Sequence, residues 1–135
     1  MRNLLRRATI VLSATVLLVA ALLSGATSSS ATTTTNTGNL IQGQWYWGVN
    51  DWWTSTTTSN IYFQKTDGPQ IDLMWYKCGD RSNHGTAVPF PNADPTAKKL
   101  LGTNFAINTH FCLAAYSYGN NATDTYTGTL WYNVL

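Results

Sequence analysis

The sequence predicts an all-β protein: a small antiparallel β-sandwich, jelly-roll or Ig-like, with one disulfide and room for one short helix. Three observations predict it. Short stretches of alternating apolar and polar residues recur between turn signals, and β-branched and aromatic residues dominate them. Two cysteines, Cys78 and Cys112, stand in a chain that opens with an export signal.

Arg2, Arg6 and Arg7 precede an apolar run from Ile10 to Leu23, after which small residues take over. That order is a secretory signal peptide, with cleavage expected after Ala26 or after Ala31. The run has fourteen residues, short of the roughly twenty that span a bilayer. Ala26 stands where a lipoprotein signal needs a cysteine, and the surroundings of Arg6 and Arg7 match a twin-arginine signal poorly. A secreted, extracellular protein is expected, with no membrane association after signal cleavage. The next segment, residues 27–39 or "TSSSATTTTNTGN", holds nothing apolar larger than alanine. It cannot offset the entropy of ordering by burial, so it is expected to be a Ser/Thr-rich flexible linker. Residues 40–135 are then expected to form a single β-sandwich domain, small for a self-sufficient core.

Within that domain "NIYFQK" alternates, with Ile61 and Phe63 on one side and Tyr62 and Gln64 on the other. "TDGP" turns the chain. "QIDLMWYKC" places Ile71, Leu73 and Trp75 on one face against Asp72, Met74, Tyr76 and Cys78, and Asp72 suggests that the second face is partly wet. "DPTAKKLLG" reads either as a helix of two turns, capped by Asp94 and opened by Pro95, or as a strand "KKLLGTNF" hairpinned through Ala106 to Thr109. "HFCLAAYSY" groups Phe111, Leu113 and Ala115 opposite Cys112, Ala114 and Tyr116; "GNNATD" is a turn by composition; "TYTGTLWYNV" closes the chain as a strand in which Gly128 suggests a bulge.

Cleavage of the leader removes three of the eight Lys and Arg and none of the six Asp, which leaves a net charge of −1. The remaining cations, Lys65, Lys77, Arg81, Lys98 and Lys99, make no basic stripe, so no nucleic-acid partner is expected. Export favours a Cys78–Cys112 bridge over two free thiols. His84 and His110 stand at no recognised zinc spacing. Neither a metal nor a cofactor is expected.

The stretch "QWYWGVNDWW", Gln44 to Trp53, puts five aromatic side chains into ten positions. From Leu40 onward the chain has fourteen Ile, Leu and Val residues against seventeen aromatics, so many aromatic rings must be core. Strand geometry limits how many can hide. Trp52 and Trp53 are neighbours and must point to opposite faces, and Trp45 and Trp47 are set against Tyr46 in the same way. At least one ring of each group is expected to be accessible. Indole suits the apolar C–H face of a sugar ring, and Gln44, Asn50, Asp51 and Asn60 lie nearby to meet its hydroxyls. With few charges, no Glu and abundant Thr, Asn, Gly and Trp, the domain resembles small bacterial carbohydrate-binding modules in composition. The candidate binding residues are Trp45, Tyr46, Trp47, Asn50, Asp51, Trp52 and Trp53.

An enzyme is not expected. A glycosidase without Glu would need two Asp, and only Asp51 lies in an aromatic cluster. "GDRSNHG" names the members of a hydrolytic triad, but functional triads are assembled from separate elements. The segment Cys78–Pro95 reads as a long loop stiffened by Pro89, Pro91 and Pro95, with Arg81 three residues after the disulfide anchor. The expected function is that of a small secreted binding protein that takes a glycan or cell-wall polysaccharide through exposed Trp and Tyr. The alternatives are a secreted protease inhibitor using Arg81 and the Cys78–Pro95 loop, or a structural extracellular protein of unknown ligand; the expected partner is a polysaccharide or an extracellular protein.

Overall fold

Each alternating stretch pairs with strands from distant parts of the chain, and the pairings sort into two sheets. The computed structural model describes residues 30–93, 95–119 and 123–135. Residues 1–26, expected as a signal peptide, residues 27–29 of the expected linker, Asp94, expected as a helix cap, and residues 120–122 of the expected "GNNATD" turn lie outside these. The described strands are β1 (Thr32–Ile41), β2 (Trp45–Trp53), β3 (Ser59–Asp67), β4 (Ile71–Lys77), β5 (Asp80–His84), β6 (Val88–Phe90), β7 (Lys99–Phe105), β8 (His110–Ser117) and β9 (Thr123–Val134). One sheet has the order β1-β9-β3-β7; the other has the order β2-β8-β4-β5, with β6 also on β4. All strand pairings are antiparallel.

Apart from the steps joining β4, β5 and β6, every connection carries the chain from one sheet to the other. An Ig-like sandwich keeps successive strands together in one sheet more often, so this order is that of a jelly roll. Ile61 and Phe63 of β3, with Leu130 of β9, face Ile71 and Leu73 of β4 and Phe111, Leu113 and Ala115 of β8, and all are buried. The alternation expected for β3, β4 and β8 is present. Phe63 meets Phe90 and Tyr126 edge-on at 5.6 and 6.0 Å. Phe111 touches the rings of Trp52, Phe105 and Tyr132 at 5.7, 6.2 and 5.8 Å. Gly128 lets this packing close, because a Cβ there would overlap the Phe63 ring and the Gln64 carbonyl. The bulge suggested at Gly128 lies across from it: Lys65 pairs with Gly128 and Asp67 with Thr127, leaving Thr66 of β3 as the extra residue.

Three expectations are corrected. The segment expected as a flexible linker over residues 27–39 contributes Thr32–Asn39 to β1, which pairs with β9 at ten successive positions. Poor burial argues against a segment folding alone, but β-branched threonines readily complete a sheet that already exists. Its Asn36 and Leu40 turn inward, and the Asn36 amide donates to the Tyr126 hydroxyl at 3.2 Å. On the outside, the Thr37 and Thr127 hydroxyls meet at 3.1 Å. The second correction concerns Cys78–Pro95, which is not one long loop. β5 and β6 lie within it and both extend the β4 edge. The third concerns the short helix. Among the described residues there is none, and "KKLLGTNF" forms β7 with the hairpin read through Ala106–Thr109. Antiparallel pairing with β3 gives that segment ladder hydrogen bonds that a two-turn helix would have lacked at both ends.

Burial of Tyr126 pushes its phenol well above the ordinary value of 10.0, against the smaller downward pull of the Asn36 hydrogen bond. The raised group favours the folded state fully below the unfolded value and loses that contribution as pH rises toward the folded one. Thermal stability is therefore expected to decline as pH climbs above 10, with Tyr126 absent from the tyrosinate absorbance titration until the protein unfolds. If all seven tyrosines titrate together near pH 10 in the folded protein, the buried position is wrong.

Candidate binding face

Because β8 turns Phe111, Leu113 and Ala115 inward, its His110, Cys112, Ala114 and Tyr116 face out. The β2 register then sets Trp45 opposite Tyr116, Trp47 opposite Ala114, Asp51 opposite Cys112 and Trp53 opposite His110. These four β2 side chains share the outer face of the five-stranded sheet. The ladder is interrupted between Trp47 and Asp51. There β2 approaches β8 so closely that a Cβ on Gly48 would stand 2.8 Å from the Leu113 carbonyl oxygen. The Gly48 carbonyl in turn accepts a 2.6 Å hydrogen bond from the Tyr76 hydroxyl. Burial raises the Tyr76 pKa, opposed by the nearby Arg81 charge.

The outer face is drier than expected. Met74, Tyr76, Cys112 and Ala114 form a second buried cluster there, roofed by Trp45 and Trp47. The small Ala114 leaves space for the indoles to lie over the sheet. Trp47 packs edge-on to Tyr76 at 4.8 Å, and Trp45 tilts against Tyr116 at 5.7 Å. Tyr118 follows Tyr116 at 5.0 Å, so aromatic rings run continuously from the β8 end to Trp47. The Cys78–Cys112 disulfide, with Cα atoms 5.2 Å apart, ties β8 to the end of β4 on this same face.

Beside the indoles lies an open groove of about 640 Å³, lined by Trp45, Trp47, Met74, Arg81, His84, Gly85, Thr86 and Ala87. Its volume falls in the range of small-molecule sites. The sequence places Arg81 on a long loop. It stands instead on the edge strand β5, with its guanidinium carbon 5.2 Å from the centre of the Trp47 ring.

The seven candidate residues are split by the strand geometry. Trp45, Trp47, Asp51 and Trp53 are on the outer face. Trp52 is half-buried against Phe111, so the tryptophan pair divides between faces as strand alternation requires. Trp53 is 56% exposed and lies parallel to His110 at 4.2 Å, while His110 Nε2 and Asp51 Oδ2 are 2.7 Å apart. Tyr46 and Asn50 leave the candidate face. The Tyr46 hydroxyl accepts from Asn39 at 3.4 Å, and the Asn50 amide donates to Asn36 at 3.0 Å. Both line a cavity of about 120 Å³ in the cleft between β1 and β2. Reading β2 alone missed Met74, Tyr76, Tyr116, Tyr118, His84 and the groove wall, which come from β4, from β8 and the residue just after it, and from the β5–β6 segment.

The polar side chains of "GDRSNHG" do not form a relay. Asp80 accepts directly from the Ser82 hydroxyl at 2.6 Å, chiefly for which reason its carboxyl is held below the usual range. His84 Nδ1 lies 2.9 Å from the Gly85 carbonyl oxygen instead. Among the described residues, no group of three or more His, Cys, Asp or Glu side chains is placed to hold a metal ion. Among the described residues, no helix is long and apolar enough to cross a membrane. Compared with known proteins, the chain matches no protein-family model and no curated protein.

Proposed function

We propose that this is a secreted, non-catalytic glycan-binding protein that takes its ligand on the outer face of the five-stranded sheet. The observation that carries the proposal is the open groove bordered by Trp45 and Trp47, whose ring centres are 6.5 Å apart. Half-buried indoles that roof a sheet yet border open space present apolar surface held in place by packing. The C–H face of a pyranose can stack on such a ring, and Arg81, His84 and Thr86 along the wall offer polar partners for its hydroxyls. Trp53, fixed on His110 farther along β2, provides a second aromatic station on the same face.

Ring orientation narrows the form of the ligand. Trp45 is tilted 41° to Trp47 and 56° to Tyr116. A flat crystalline polysaccharide needs coplanar rings, whereas one glycan chain can follow tilted ones. Soluble oligosaccharides are therefore expected to bind as well as the insoluble parent polymer. The inhibitor reading has no comparable support, since Arg81 lies against an indole rather than on a projecting loop.

The test is retention on chitin, cellulose, peptidoglycan and acidic plant and algal polysaccharides, with soluble fragments as competitors. Trp45→Ala is expected to weaken binding by about thirtyfold or more, as for a tryptophan hot spot. It should keep a single cooperative unfolding transition. Wild-type affinity in a folded Trp45→Ala protein would place binding elsewhere.

A further inference from the structure

From the charge around this groove we infer that its ligand is an acidic glycan, one whose sugar carries a carboxylate that Arg81 receives. The inference rests on the glycan reading of the face and adds the substrate class. Arg81 lies over Trp47, and the next indole along β2, Trp45, is 6.5 Å from it. A sugar stacked on Trp45 would have its ring substituents directed along the groove toward the guanidinium. Trp47 thus serves less as a stacking surface than as the support that holds Arg81 in place, since one of its faces is already occupied.

The acids nearby are engaged elsewhere. Asp72 accepts from the Tyr118 hydroxyl at 2.7 Å, Asp80 from Ser82 at 2.6 Å, and Asp51 pairs with His110 at 2.7 Å. None of the three lines the groove. Among the described residues, Arg81 has no carboxylate within ion-pairing distance. An exposed arginine laid on an aromatic ring keeps its N–H edge available and loses little freedom when it binds. Those are the properties that suit the planar fork to a carboxylate. A neutral sugar would use the stacking surface and leave the charge unused.

The test compares polygalacturonate, alginate and hyaluronan with their carboxyl-reduced forms, which keep the linkages and replace each carboxylate by a hydroxymethyl group. At least one acidic polymer is expected to bind about tenfold or more tightly than its reduced counterpart, as for a gained charge-assisted hydrogen bond. Arg81→Gln is expected to remove that difference by weakening the acidic polymer far more than the reduced form, which loses only a hydroxyl contact, and Arg81→Lys to restore it only in part. Equal binding of acidic and reduced polymers, or an acidic preference that survives Arg81→Gln, overturns this inference and leaves the glycan reading intact. If no glycan, neutral or acidic, is retained by the wild-type protein, both readings fall.

Discussion

Replacing Phe111 by alanine is expected to cost about 3–5 kcal/mol of folding stability, the usual range for emptying a fully buried aromatic site. Phe111 has no exposed surface and joins the rings of Trp52, Phe105 and Tyr132 across the two layers. Strands hold these rings rigidly, so little collapse into the cavity is expected. A loss of that size is a large fraction of the total stability of a domain this small. Trp53→Ala is the internal control. It removes a larger side chain from the adjoining strand, but one more than half exposed, and should change stability by only about 0.5 kcal/mol, as at an ordinary surface site. Urea denaturation of both variants measures the asymmetry. Equal losses would mean that the inner and outer faces of the sheet holding β2 and β8 have been assigned wrongly.

Removal of the disulfide by the double substitution Cys78→Ala and Cys112→Ala is expected to cost about 3–4 kcal/mol on the chain-entropy model. The bridge closes a sequence separation of 34 residues. Within that interval the chain adds β5 and β6 to one sheet, crosses to the other as β7 and returns as β8, so many unfolded conformations are removed. Cys112 is also buried with Met74, Tyr76 and Ala114 beneath the tryptophans, and loosening it should disturb the binding face before the inner core. The denatured, unreduced protein should show no free thiol. Two titrating thiols, or a double variant as stable as the parent, would remove the bridge from the account.

The strands with a buried face were legible because alternation reports directly on burial. Ile61 and Phe63, Ile71 and Leu73, and Phe111 and Leu113 all face the core as their spacing implies. β1 was not legible in this way, because most of its side chains are threonines and its order comes from hydrogen bonding to β9. Local composition does not carry the presence of a partner strand ninety residues away. The binding face was half legible for a related reason. Alternation separated Trp45 and Trp47 from Tyr46, and Trp52 from Trp53, within one strand. Tyr76, Tyr116 and Arg81 reach the same face only through the pairing of β4 with β5 and β8, and of β8 with β2. Asn50 was grouped with the tryptophans by proximity in sequence, but the irregularity after Trp47 sends its amide to Asn36 on the other sheet.

The central claim is that a glycan lies across the outer face, on Trp45 and beside Arg81. NMR titration of the isotope-labelled protein with a retained, soluble oligosaccharide tests it most directly, because the six tryptophans give separate indole N–H signals distributed over different surfaces. The account predicts that the Trp45 and Trp47 signals and the Arg81 Nε–H shift first, with Trp53 following only for longer chains. Trp52 and Trp75, packed against the core, should stay in place. Shifts confined to Trp131, which lies beneath Lys98 on the opposite sheet, would contradict it.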